Sequence, residues 1–219
     1  LQIGAECSKC YSYYTYQCDS LMAAPNGDKQ WDSFLTEAIG KGLKGKQLHN
    51  AIPHRRMSAT IYKNYPQGKI TVTDFLLGQY YLYEDALNSQ EWNIENDSMK
   101  VVLGHECQKA TCSFRGRKWT AWFALDVPVS DGPLKFCGLP GLIMEVYDRG
   151  KQYYFCINGM QQVSATPITF VILDKDFKHF QKTDRKDFLL SKYRYLRNQN
   201  SINEASTGIS LGSVDEALK

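Results

Sequence analysis

Residue types capable of chemistry are present in this chain, but their spacing suits little of it. Cys7 and Cys10 form a C-x-x-C, which is half a zinc site or a redox pair; the other close pair, Cys107 and Cys112, has a different spacing and no second C-x-x-C follows. Adjacent His105 and Glu106 would face opposite ways on a strand, so they make a poor acid/base or ligand pair. His49, His54 and His179 show no metal spacing, and neither G-x-S-x-G nor H-E-x-x-H occurs. Gly40, Gly45 and Lys46 fit the spacing of a phosphate loop. Gln47, however, stands where Ser or Thr must reach magnesium, and the segment follows a predicted helix where a phosphate loop follows a strand. A solvated basic loop explains it better than nucleotide binding. Glu84, Asp85, Asp126, Asp131 and Asp148 lie near predicted strand ends and turns, where carboxylates are ordinarily solvated. A hydrolase would have to bring Glu145 or Asp148 together with Asp126 or Asp131 from separate strand ends. The sequence nominates no catalytic residue, no metal set and no cofactor.

The elements that must position any site read as mostly β. The 219 residues are 43% hydrophobic and 22% charged, ordinary globular usage that excludes a disordered, collagen-like or coiled-coil chain. A net charge of +3 is too small to argue for nucleic acid or an anionic membrane. No apolar run is long enough to span a bilayer; the strongest, residues 168–173, has only a strand's length. The 14 Tyr, 10 Phe and 4 Trp favour a pleated, half-buried surface. The aromatic stretch 10–17 reads as extended, and Ala24-Pro25-Asn26-Gly27 breaks it. Trp31, Phe34, Leu35, Ala38 and Ile39 recur at helical spacing and predict an amphipathic helix from Asp28 to about Gly40. Strands are expected at 57–63, 69–75, 80–84 and 99–103, followed by three hairpins. Arg115-Gly116 joins 105–114 to 117–124, Arg149-Gly150 joins 142–148 to 151–157, and Asn158-Gly159 leads on to 160–163. Thr183 or Asp184 can cap a last helix with Phe188, Leu189, Lys192, Tyr193 and Leu196 on one stripe. Residues 1–197 are expected to form one β domain and 198–219 a polar tail.

If Arg115-Gly116 closes a two-residue hairpin, the register follows by arithmetic. Cys112 faces Trp119, Ala110 faces Ala121 and Gln108 faces Phe123 on an apolar face; Lys109 faces Trp122, Thr111 faces Thr120 and Ser113 faces Lys118 on the other. A tryptophan flanked by lysine and threonines is the oddity. Trp122, Lys109, Thr111 and Thr120 are therefore the candidate ligand-binding residues, lining a groove for a hydrophobic or extended ligand such as a peptide, lipid or glycan. The competing reading is a Trp under a neighbouring element with Lys running past it. Seven cysteines are many for a reducing compartment and suit an oxidising one, and the odd count leaves at least one unpaired. At least one disulfide is expected under oxidising conditions. Cys107 to Cys112 is excluded, since five strand steps separate them by about 16 Å on opposite faces.

Gly138-Leu139-Pro140-Gly141-Leu142-Ile143 reads physically as a permissive backbone position, a locked φ and a second permissive position just ahead of an apolar strand. The alternative, glycines admitting a ligand to the backbone, has no adjoining helix N-terminus or Lys to support it. The same string resembles the GLPGLI family of secreted bacterial envelope proteins of unestablished activity. The stretch from Gly104 to Ala110, the run Phe114-Arg115-Gly116-Arg117, Ala121-Trp122-Phe123, Pro128, Gly132-Pro133 and Phe136 also resemble that family's pattern in order and spacing. Upstream, Leu1-Gln2-Ile3-Gly4 and the run from Tyr62 to Pro66 look similar too. The resemblance implies export to the periplasm or cell envelope, and an opening edge strand that normally precedes Leu1. Cys7, Cys10 and Cys137 fall outside the pattern, and no catalytic residue carries over.

The expected fold is mainly β with one or two helices: a large curved antiparallel meander sheet, half-barrel-like, with a helix packed on it and a two-sheet sandwich as the alternative. The expected function is a non-catalytic binding module, the alternatives being an envelope protein partner and, third, a carboxylate-dependent hydrolase.

Overall fold

The computed structural model describes residues 1–163, 167–170 and 179–198. It is mainly β, with strands β1 (Gln2–Ile3), β2 (Ser8–Cys10), β3 (Thr60–Lys63), β4 (Lys69–Leu76), β5 (Gln79–Ala86), β6 (Asn93–Val102), β7 (His105–Phe114), β8 (Arg117–Ala124), β9 (Leu142–Asp148), β10 (Tyr154–Cys156) and β11 (Gln181–Lys182). Among the described residues four helices join them: α1 (Tyr13–Ala23), α2 (Gly27–Gly40), α3 (Gly45–Ala51) and α4 (Arg185–Arg197). The strands form two sheets where the first of the two sequence readings had one: a six-stranded sheet in the order β1-β2-β3-β4-β5-β11 and a five-stranded sheet in the order β10-β9-β8-β7-β6. Neither order closes on itself into a barrel.

The chain divides into two compact units, Leu1–Cys10, Thr60–Val72 and Glu84–Asp176 in the first, and Tyr11–Ala59, Thr73–Tyr83 and Phe177–Lys219 in the second. In the first unit, β6 to β9 form an antiparallel meander, which the short β10 extends. Arg115 and Gly116 at φ 51 and 77 make the tight, right-twisted turn between β7 and β8 that an X-Gly pair favours. The predicted register holds at every pair from Gln108↔Phe123 to Ser113↔Lys118. Its apolar face becomes the main core: Ala110, Cys112, Trp119, Ala121 and Phe123 pack with Phe136, Leu139, Ile143 and Val146. Each large side chain buried there contributes about 1.5–3 kcal/mol relative to exposure. A smaller cluster of Val102, Cys107, Ala124, Leu142 and Met144 lies on the opposite face. Cys107 and Cys112 thus occupy different clusters, as five strand steps require.

In the second unit, α4 begins where Asp184 accepts a bond from the Asp187 N–H at 2.9 Å. It seats Phe188 against the Tyr81 and Tyr83 rings, centroids 5.4 and 5.6 Å away. Lys192 reaches Asp74 at 2.6 Å, and Ser58 donates to the same carboxylate. Of the rest of the predicted stripe, Leu189, Tyr193 and Leu196 are exposed. α2 spans the predicted residues and lies against α1 and α3, with Ala38 buried and the Trp31 indole donating to the Pro53 carbonyl.

Four expectations fail locally. The aromatic stretch 10–17 is extended only up to Cys10 and is helical from Tyr13, because Ser12 caps the first turn through the Thr15 N–H. Thr15 then donates to the Met57 carbonyl at 2.8 Å while Tyr13, Tyr14 and Tyr16 stay exposed, so the helix is held by its polar positions. The loop after β9 is longer than Arg149-Gly150: the Asp148 N–H bonds the Tyr153 carbonyl and Lys151 sits at φ 51, which leaves only Tyr154–Cys156 as strand. Residues 160–163 are not a strand; Met160 and Val163 are exposed and have no face to cover. β6 begins earlier than predicted, at Asn93, and absorbs its polar start in a bulge between Glu95 and Met99. The polar tail beyond Asn198 and residues 171–173 of the apolar run lie outside the described residues.

Candidate functional site

β7 and β8 bring the four candidate residues together on one face of the five-stranded sheet. Lys109 lies opposite Trp122 and Thr111 opposite Thr120, all half-buried. The neighbouring strands complete the surround. Glu95 on β6 pairs with Lys109 at 2.9 Å, and Glu145 on β9, directly opposite Trp122, pairs with Lys100. The Lys100 ammonium lies 5.2 Å from the centre of the Trp122 ring, so it is Lys100, not Lys109, that runs across the indole. The indole Nε1–H is buried and finds no acceptor among the described residues. Farther along the face, Tyr147, opposite Thr120, stacks on Tyr154 at 5.9 Å.

Sequence reasoning missed Lys100 and Glu95, and named Glu145 only as a possible hydrolase carboxylate, not as a neighbour of Trp122. A signal existed for Lys100: Leu103 and Gly104, at φ 50 and 83, form a second X-Gly turn that sets Lys100 opposite Cys107. Glu145 had no such signal, because a bulge between β8 and β9 shifts the register next to Trp122.

Each carboxylate that a hydrolase would need has a partner of its own. Asp131 is paired with Lys63, Glu145 with Lys100, Asp148 with Arg117 and Asp126 with His105. The Asp148 carboxyl is held below its ordinary value, first by the Tyr153 N–H and then by Arg117. Burial alone would raise Asp85, yet Lys135 and then Arg115 bring it below its ordinary value as well. A general acid needs the opposite shift. The His49 and His54 rings lie tilted with centroids 3.9 Å apart, and among the described residues no three His, Cys, Asp or Glu are placed to hold a metal.

All seven cysteines are free thiols in the structure. Cys10 accepts from the Leu134 N–H at 3.3 Å and so braces the loop ahead of Gly138. Burial raises the thiols of Cys107 and Cys137, and lifts Cys112 to about 11.

In the Gly138 to Ile143 string, Leu139, Leu142 and Ile143 are buried while Gly138 and Pro140 face outward. Gly138 is at φ +90, where glycine is needed, and its N–H donates to Ser130 at 3.1 Å. Gly141 has a different reason: a Cβ there would stand 2.0 Å from the Ala124 carbonyl oxygen. The close backbone approach is to β8, within the chain, and that carries the structural reading of the motif.

Among the described residues of the first unit, two shallow depressions stand out. One, of about 260 Å³, is lined by Gly116, Arg117, Lys118, Asp148, Arg149, Gly150 and Gln152. The other, of about 200 Å³, is lined by Met99, Lys100, Val101 and Glu106. Neither is lined by Trp122. No helix among the described residues is long and apolar enough to cross a membrane.

Two crystal forms of PNGF-II, in space groups P21 and C2, are similar to 62% and 65% of this chain at 15% identity, with TM-scores of 0.42 and 0.43. The match spans 24% and 26% of their chains, so this chain corresponds to about a quarter of the length of those structures. No curated protein matches. Residues 108–145, which run from β7 through the Gly138 to Ile143 string into β9, match a family described as "Protein of unknown function (Porph_ging)".

Proposed function

We propose that this chain is an exported envelope protein of the GLPGLI type and a non-catalytic binding module, holding an extended peptide, lipid or glycan across the face that carries Trp122, Lys109, Thr111 and Thr120. The observation that carries the reading is the Trp122 indole: a buried N–H without an acceptor costs about 1–3 kcal/mol, and a ligand oxygen would relieve it. Lys100 is the movable part of the cover, because a lysine stem swings aside at little cost and its ammonium can follow Glu145 or the ligand. A face lined by half-buried Trp122, Thr111 and Thr120 suits a chain laid across strands better than a small molecule enclosed in a cavity. The separate lysine or arginine held by each of Asp131, Glu145 and Asp148 supports a non-catalytic role. Native mass spectrometry of the protein extracted from its own envelope tests the proposal. A retained mass is expected on the natural chain and its loss on Trp122→Ala. No retained mass, or a mass kept equally by the variant, refutes the reading.

A second reading, an envelope protein partner, is favoured by one observation. β6 is the outermost strand of its sheet and exposes Ile94, Met99 and Val101, with Leu103 just beyond it, a surface suited to strand addition.

A further inference from the structure

The apolar stripe of α4 is wider than the seat it occupies. Phe188 is buried against Tyr81 and Tyr83, and Lys192, one turn later, is held by Asp74, so two anchors fix the rotation of the helix. At about 100° per residue, Leu196, Leu189, Tyr193 and Leu190 fall at roughly 80, 100, 140 and 200° from Phe188, turned away from the seat. All four are exposed, Tyr193 by 60% and Leu196 by 59%. Cations surround them. Lys186 and Arg197, at roughly 160 and 180°, stand at the two ends of the same side, and Arg185 and Arg194, at roughly 60 and 240°, flank it. Lys186, Arg194 and Arg197 are exposed and Arg185 is half-buried, and none of the four is in an ion pair with a described residue. Asp184 and Asp187 stand at the start of the helix; four free cations less these two carboxylates leave two positive charges, with Lys192 and Asp74 balanced apart.

From this arrangement we infer that α4 is a peripheral docking face for an anionic lipid surface, lying along it with Leu189, Leu190, Tyr193 and Leu196 at the acyl boundary. The residue classes select the partner. Leucines set among cations need an apolar phase bordered by anions, which a lipid leaflet supplies within one plane. Lys186 and Arg197 do not obstruct entry, since their aliphatic stems run over apolar surface and carry the charge out to the phosphates. Tyr193 suits the same border, with an apolar ring and a polar tip. A second copy of the face would set like charge against like, and a nucleic acid would neutralise the cations but leave the leucines in water. The chain's net charge of +3 does not reveal the face, because the charge that attracts a surface is local to one helix. Thirteen residues, about 20 Å of helix, lie on a leaflet and do not span it. The inference rests on α4 alone and is independent of the Trp122 reading.

Flotation of the full chain with vesicles of phosphatidylcholine, with and without phosphatidylglycerol, tests it. Binding is expected on the mixed vesicles, about tenfold or more stronger than on the neutral ones, and should weaken as salt rises. Tyr193→Ser/Leu196→Ser keeps every charge, and Arg194→Gln/Arg197→Gln keeps every apolar side chain. Because the altered residues are exposed, each variant should melt as the natural chain does, and each should lose about tenfold or more in lipid affinity, with Trp122→Ala unaffected. Should a double variant melt low, Leu196→Ser and Arg197→Gln alone carry the comparison, with a severalfold loss expected of each. The inference is overturned by no binding to the anionic vesicles or by equal binding to the neutral ones. It is overturned as well if the serine variant binds as the natural chain does while the glutamine variant does not, which would assign the cations to a soluble polyanion or an acidic protein.

Discussion

Lys63 is the group whose removal should tell most about how this fold is held. Its side chain is 3% exposed and it pairs with Asp131, which is 10% exposed. The same ammonium donates to the Gly132 carbonyl at 2.5 Å and to the Phe136 carbonyl at 3.4 Å, fastening the loop that leads into Gly138 onto β3. Lys63→Met keeps the stem and removes the charge. Asp131 would then be a buried carboxylate bonded only to the Gly132 N–H, at 2.6 Å, and both carbonyls would lose their donor. Breaking a buried pair from one side costs about 3–5 kcal/mol, against about 0–1 kcal/mol for a solvated pair, so burial puts Lys63→Met in the larger class. The double variant Lys63→Met/Asp131→Asn removes the stranded charge and should recover more than half of the loss, since replacing both partners is often near neutral. The assay is urea unfolding followed by circular dichroism for the four members of the cycle, with the free energy read at unchanged m. Should Lys63→Met not fold, Lys63→Arg, which keeps the charge, should. A cost below about 1 kcal/mol for Lys63→Met, or a double variant as unstable as the single ones summed, would refute the reasoning.

Two further outcomes concern the packing of β8 against β9 and the buried thiols. Gly141→Ala drives a Cβ to 2.0 Å from the Ala124 carbonyl oxygen and 2.7 Å from its carbon, so β8 and β9 must part locally; a loss of about 3 kcal/mol or more is expected by chemical denaturation, while Gly159→Ala, with nothing within 4 Å, should fall within about 0.5 kcal/mol of the natural chain. Thiol labelling of the native protein at pH 8, read by peptide mass mapping, should modify exposed Cys156 first and spare Cys112, whose thiol burial lifts to about 11; early modification of Cys112 would contradict its place in the core.

What could be read from the sequence was what is local. The turn at Arg115-Gly116 carries its own conformational demand, and once it is fixed the period of two dictates each opposite pair up to the end of the hairpin. Asp184 ahead of Phe188 worked for the same reason, since a cap and a stripe lie within one helical turn. Tyr13 to Gln17 failed because aromatic residues favour strands only where a sheet receives them; here Ser12 and Thr15 supply polar partners that hold a helix instead. Two sheets stood only as the alternative, and where the strands divide was illegible, because nothing local to β5 or β6 announces that they belong to different ladders. The pair Lys63 and Asp131 joins distant parts of the chain, and no spacing rule connects them.

The candidate site was half-visible on the same principle. Lys109, Thr111, Thr120 and Trp122 follow from one hairpin, but Lys100 and Glu145, which decide whether the indole is open or covered, come from the strands on either side. The string from Gly138 to Ile143 shows the converse. It was the most conspicuous feature of the sequence, yet Leu139 and Ile143 are spent in the core and Gly141 is filled by the Ala124 carbonyl, so most of the string offers nothing to a ligand. A segment so committed does its work by setting where β9 enters the sheet. That entry puts Glu145 opposite Trp122 and carries β9 to Asp148 and the loop with Arg149, beside Lys118. Its influence is therefore positional: it fixes which side chains of β9 and its following loop stand beside β8.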